Sequence, residues 1–152
     1  MSRGPEDGVV AGLEALAFGV LVFVVGTLVV VNAWAVIDAR FATSAAAREA
    51  VRAVIEAPEV GLSTAQLDQR ARAAAAQALA AHGYDREPAI TGSPLTQARC
   101  ATIELRVQLE VVPTLVPWLA QPPTYRVAST YAEVLDPFRA GLEGDGVSTC
   151  GF

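Results

Sequence analysis

Residues 15–37 read ALAFGVLVFVVGTLVVVNAWAVI, 23 positions without a charge, bracketed by Glu14 and Asp38. As an α-helix this stretch spans roughly 34 Å, against about 30 Å of bilayer hydrocarbon. Fourteen of the 23 residues are Val, Leu, Ile or Phe. At roughly −0.4 kcal/mol each they favour insertion by about 6 kcal/mol, which outweighs Asn32, Thr27 and two glycines. The many valines would favour a strand in water, but strands seldom run this long. In lipid a lone segment must satisfy its own backbone hydrogen bonds, so helix overrides β-propensity. Trp34 lies toward the Asp38 end, where an indole suits the headgroup region. The stretch is therefore expected to cross a membrane as a helix.

Two rival readings stay open. Ala33-Trp34-Ala35 has the small-x-small pattern of a signal cleavage site, and cutting near Ala35 would release a secreted binding domain. Against this, the apolar region is longer than an ordinary signal, and the leader MSRGPEDG sets one Arg against Glu6 and Asp7. A buried core helix of a soluble protein is the other rival, but the remaining chain is short for wrapping it. Orientation is open from charge alone. Arg3 precedes the segment, whereas Arg40, Arg48 and Arg52 follow it, and a count of arginines would put the C-terminal part inside. Glu14 also carries two readings. It is either a carboxylate favoured by the helix dipole and solvated by headgroups, or a functional acid paired with a cation on a neighbouring subunit.

Composition narrows the function. The chain has 152 residues, 53% of them hydrophobic and 18% charged, with mean hydropathy +0.38. That suits one small domain with one membrane segment. All eleven basic residues are arginine, and the net charge is −5. An acidic chain without a basic stripe is a poor nucleic-acid binder, because phosphate neutralisation supplies most of that affinity. One histidine and two distant cysteines leave little for a metal site or a catalytic cluster. No Gly-rich phosphate loop, metalloprotease helix or nucleophile elbow occurs. The expectation is a non-enzymatic protein without cofactor, metal, nucleic acid or small-molecule substrate.

Beyond the apolar stretch the helical pattern continues. Residues 39–57 contain neither Gly nor Pro, and Pro58 supplies the stop. One helix is expected from about Val9 to Ala57, with Ala47, Val51, Val54 and Ile55 on one stripe. Ser63 with Gln66 fits a capping box, and His82-Gly83 fits the exit of a second helix. Leu67, Ala71, Ala74, Ala75, Ala78 and Leu79 give that helix a narrow face of mostly small residues. Arg52–Glu56 and Asp68–Arg72 are i,i+4 pairs of the kind found on solvated faces.

Thr102 to Val111 alternates strictly. Ile103, Leu105, Val107, Leu109 and Val111 point one way, as expected of a half-buried strand in an antiparallel sheet. Tyr125 to Val134 reads as a second strand, and Ala89 to Gly92 as a weaker one. Pro113, Pro117, Pro122 and Pro123 make the connection between the two long strands stiff rather than a tight hairpin. Trp118 within it covers a core edge or touches a partner. The fold class is α+β: residues 1–8 a short leader, 9–37 a membrane helix, and 38–152 a small domain with a second helix and an antiparallel sheet.

Cys100 and Cys150 are either free thiols or a disulfide that ties down the C-terminal tail. A loop of about 51 residues corresponds to roughly 4 kcal/mol of stabilisation. Such a bond persists only in an oxidising compartment, which argues for residues 38–152 lying outside the cytoplasm.

Gly12-Leu13-Glu14-Ala15-Leu16-Ala17-Phe18 opening a single membrane helix, then Ala45-Ala46-Ala47-Arg48-Glu49-Ala50-Val51-Arg52-Ala53, resembles the TadE/TadG-like proteins. These are minor pilin-like (pseudopilin) components of the tight-adherence, or Flp, pilus system. The likeness covers residues 8–57 best. It implies a structural protein of the cytoplasmic membrane, in or beside a surface pilus used in cell adhesion, with an extracytoplasmic C-terminal domain. Its implied partners are the lipid bilayer, other pilins or pseudopilins, and the pilus assembly platform. Glu14 takes the place of the pilin glutamate that neutralises a neighbour's amino terminus, and processing would fall between Gly8 and Val9. The spacing departs from the family's pattern, since Gly8 lies six residues before Glu14 rather than five before it. Gly19 and Gly26 would let helices approach closely during assembly. A membrane-tethered interaction or regulatory module unrelated to pili is the alternative function.

Overall fold

The computed structural model describes residues 6–58, 61–93, 95–112, 124–138, 140 and 142, with side chains from Glu14 onward. Helix α1 runs unbroken over Glu6–Ile55, 50 residues or about 75 Å. It starts earlier than the expected Val9. It ends two residues sooner than expected. Pro58 disfavours helical backbone at Ala57, and just beyond the helix the Glu56 N–H still bonds the Arg52 carbonyl at 2.8 Å. The two polar residues of the apolar stretch fold back on their own helix. Thr27 Oγ1 donates to the Phe23 carbonyl and Asn32 Nδ2 to the Leu28 carbonyl, each at 2.8 Å.

Helix α2 spans Thr64–Ala81. Its capping box is complete. The Gln66 N–H donates to Ser63 Oγ at 3.4 Å, and the Ser63 N–H donates to Gln66 Oε1 at 2.9 Å. At the other end His82 is the C-cap, and Gly83 takes φ 83°, a left-handed conformation that favours glycine. Gly83 N–H bonds the Ala80 carbonyl and Tyr84 N–H bonds the Leu79 carbonyl. The chain thereby turns back toward α1.

Strands β1 (Ala89–Gly92), β2 (Thr102–Val111) and β3 (Tyr125–Val134) form an antiparallel sheet in the order β1-β2-β3. The register sets Val107 beside Ser129 and Val111 beside Tyr125. All five apolar residues of the β2 alternation are buried, as their spacing predicts. β3 buries only Val127 fully.

The core lies between this sheet face, α2 and the upper half of α1. On α1 it is built largely of alanine: Ala39, Ala42, Ala46, Ala47 and Ala50, with Val51 and Val54. On α2 it is the four-residue row Leu67, Ala71, Ala75 and Leu79. Ala74, Ala78 and Ile55 are only half-buried. Short side chains let the helices approach closely, and Leu67, Leu79 and Ile103 fill the remaining space. Burying each of these larger residues is worth about 2 kcal/mol.

Candidate functional site

The surface with the strongest functional signature is the lower half of α1. Among the described residues this is the one helix long and apolar enough to cross a membrane. Its large side chains face outward: Leu16, Phe18 and Phe23 are 68%, 68% and 74% exposed. A water-soluble monomer does not leave such a patch open.

Glu14, at the start of this surface, is exposed. Gly19 and Gly26 meet no atom within 4 Å at the position of an added Cβ. At about 100° per residue these two glycines, seven residues apart, fall within roughly 20° of one another. The residues of α1 that face the domain, Ala35, Ala39, Ala42 and Ala46, project to the opposite side. Gly19 and Gly26 thus mark the back of the rod, while Glu14 lies roughly 120–140° away from them, toward the domain side. The geometry brings the two glycines together on one face and leaves the carboxylate on another. Gly8 and Val9 lie in the helical backbone of α1, and their side chains are outside the described residues. Cys100 is disulfide-bonded, and its backbone is left-handed with φ 58°, which costs a non-glycine residue about 1 kcal/mol. Cys150, and Trp118 of the Pro-rich connection, lie outside the described residues.

A second group of residues, unmarked in the sequence, fastens the domain to α1 where the apolar stretch ends. Tyr84 Oη donates to Asp38 Oδ2 at 2.9 Å. Partial burial, then the hydrogen bond to Asp38 and the charge of Asp38, push the Tyr84 phenol up to about 12. One turn further, Thr43 is fully buried, the one buried polar residue among those described. Its hydroxyl lies 2.9 Å from the Ala39 carbonyl and 3.1 Å from Ser129 Oγ on β3. The Arg48 guanidinium then lies over the Tyr131 ring, 5.7 Å from its centroid. At the far end of the domain Arg99 reaches the carbonyls of Pro137 and Leu142. Asp38 and Thr43 lie far in sequence from their partners Tyr84 and Ser129, and no local pattern announces the pairing. Only the sheet register and the turn after α2 bring them together.

The remaining polar features are surface features. Arg52–Glu56 at 2.9 Å, Asp68–Arg72 at 2.7 Å and Glu110–Arg126 at 3.0 Å are exposed ion pairs, of the kind worth little to stability. An open groove of about 760 Å³ runs along α2 past Asp68, Arg72, Ala76, Tyr84 and Arg86. Among the described residues no three His, Cys, Asp or Glu come together as a metal site. Comparison with protein-family models, curated proteins and solved structures finds no match.

Proposed function

We propose that this chain is a single-pass membrane protein of the minor-pilin kind, whose role is structural. Residues 9–37 form the membrane helix, the domain stands outside the cytoplasm, and the rod packs laterally against other pilin helices through the Gly19–Gly26 face. Glu14 biases register by pairing with a neighbour's cationic amino terminus. The observation that carries this reading is the split character of α1. One uninterrupted helix leaves its large apolar side chains exposed over its lower half and buries one face against a folded domain over its alanine half. The disulfide at Cys100 supports an oxidising location for the domain. The TadE-like opening of the helix and the Ala-Arg-Glu-Ala segment support a place in tight-adherence pilus assembly.

The test combines topology and assembly. Protease added to intact spheroplasts should digest the domain and leave a membrane-protected N-terminal fragment. The Glu14→Gln variant should be made and inserted normally but yield fewer or shorter pili. A domain untouched by external protease overturns the orientation. Pili of normal number and length in Glu14→Gln overturn the role of the carboxylate. Recovery of the chain with assembly-platform proteins supports the pilus reading, and recovery only with unrelated membrane proteins supports a tether instead.

A further inference from the structure

The sheet ends on β3, and the far side of that strand is open among the described residues. The bond from Leu135 N–H to the Ala101 carbonyl at 2.9 Å fixes the phase of the β2–β3 ladder. Directly bonded pairs recur at every second residue, so Ser129, Tyr131 and Glu133 turn their backbone groups toward β2. The N–H and C=O groups of Arg126, Ala128, Thr130, Ala132 and Val134 point away from it. The other flank of β2 agrees with this phase. Ser93 N–H bonds the Glu104 carbonyl at 3.2 Å, so even-numbered residues of β2 serve β1 and odd-numbered ones serve β3. No backbone hydrogen bond among the described residues reaches the outward groups of β3. Arg126, Ala128, Thr130 and Ala132 are exposed.

Nothing on the strand blunts this edge. Proteins protect a free edge with a short strand, a bulge, proline, lysine or an inward charge. β3 has ten residues and a register without a bulge. It contains no Pro, Gly or Lys, and its two charges, Arg126 and Glu133, sit near its ends. β1, the opposite edge, is only four residues long and follows Pro88.

Beside the open edge α1 supplies a row of cations. β3 runs in the same direction as α1. Thr43 meets Ser129 at 3.1 Å, the Arg48 guanidinium lies 5.7 Å from the centre of the Tyr131 ring, and the charge of Glu133 acts on Arg52. Arg40, Ser44, Arg48 and Arg52 follow one another at four-residue steps and so form one ridge. Arg52 is paired with Glu56. Arg40 and Arg48 are exposed and take part in no ion pair among the described residues. Each step of the ridge rises about 6 Å, close to the roughly 6.8 Å covered by two strand residues. A strand laid along β3 therefore sets every second side chain toward this ridge, and carboxylates four residues apart match Arg40 and Arg48.

We propose that the β3 edge binds an extended acidic segment of another protein, which adds to the sheet as a further strand. Backbone pairing holds the segment, and the carboxylates on its α1-facing side select it. A second copy of this chain does not fit the edge. Two β3 strands joined across a twofold axis lie antiparallel, and because each runs along its own α1, the two rods would leave in opposite directions. Both could not then enter one bilayer. That exclusion rests on α1 spanning the membrane; the open edge and the arginine ridge do not.

The experiment uses the full chain in detergent micelles and the end-blocked peptide TEVTVEVT, whose glutamates lie four residues apart on one face. Saturating peptide should slow amide exchange at Ala128, Thr130 and Ala132 by about tenfold or more. The lysine counterpart TKVTVKVT should bind about tenfold more weakly, as should TEVTVEVT to the Arg40→Glu/Arg48→Glu variant. Thr130→Pro removes one outward N–H and spares the ladder to β2, and it should weaken binding severalfold. The exchange readout uses the unaltered chain, so it decides the matter even where a variant fails to fold. Unchanged exchange at the three amides overturns docking at the edge, and equal binding of the lysine peptide overturns the acidic preference. A 130–130 crosslink between copies carrying Thr130→Cys in native membranes overturns the foreign segment in favour of self-pairing. Loss of the membrane span in the protease test leaves the peptide readouts untouched, so the two readings fail separately.

Discussion

Tyr84 hands its phenolic hydrogen bond to Asp38 across 2.9 Å, joining the turn after α2 to the point where α1 leaves its apolar stretch. Folding keeps the Tyr84 proton bound up to about 12, against 10.0 for a free tyrosine. The sign follows from linkage. A pKa raised by folding contributes stability that is complete below pH 10 and is lost as pH rises toward 12. The chain has no lysine, so few other side chains titrate in that window. Thermal melts of the full chain in detergent should fall between pH 10 and 12. Tyr84→Phe should lower stability at pH 7 by about 1 kcal/mol and flatten the alkaline decline. An unchanged alkaline slope in Tyr84→Phe would show that this bond does not form.

Thr43 places a hydroxyl in an alanine-lined interface, where it bonds Ala39 and Ser129. Thr43→Val keeps the shape and removes the hydroxyl, leaving the Ser129 hydroxyl short of a partner. The expected loss is about 1–2 kcal/mol, read by urea unfolding of the micelle-bound chain. The double variant Thr43→Val/Ser129→Ala should recover part of it, because no orphaned polar group then remains.

Gly92 ends β1 with no room for a side chain. A Cβ there would press on the Glu104 carbonyl and lie 2.8 Å from a Leu105 methyl. Gly92→Ala should therefore destabilise the β1–β2 edge by about 1–3 kcal/mol. Faster amide exchange at Thr91 and Arg106, with the β2–β3 ladder unchanged, would confirm that the damage is local.

Gly26→Leu makes the opposite prediction. Nothing lies within 4 Å of a Cβ at position 26, so the isolated chain should fold and insert as before. If the glycine face receives a neighbouring helix, crosslinking between copies or with other pilins should drop severalfold. Unaltered crosslinking would place the packing face elsewhere on the rod.

The sequence announces whatever rests on short-range periodicity. The alternation of Ile103 to Val111 gives β2 its limits and its buried face. Ser63, Gln66 and Gly83 give α2 its ends, because capping needs only residues three or four apart. The alanines of α1 were harder to read. Ala39, Ala42, Ala46 and Ala50 differ little from exposed alanines until α2 and β3 cover them, so the predicted stripe caught Ala47, Val51 and Val54 and missed the rest. β3 shows why amphipathic strands mislead. Ser129 and Tyr131 face α1, yet they bond and stack there rather than pack as apolar residues. Of the candidate assembly residues, the sequence gives the glycines and Glu14, but that the glycines turn their backs on the domain follows only once the domain is docked.

The unbroken course of α1 has a mechanical consequence. No Pro or Gly interrupts the helix between Gly26 and Ile55, so the join between rod and cap lacks a hinge. A quarter-turn imposed on the apolar end is delivered undiminished to the cap as torque, and a pull on the cap arrives at the apolar end as tension along a single stiff shaft.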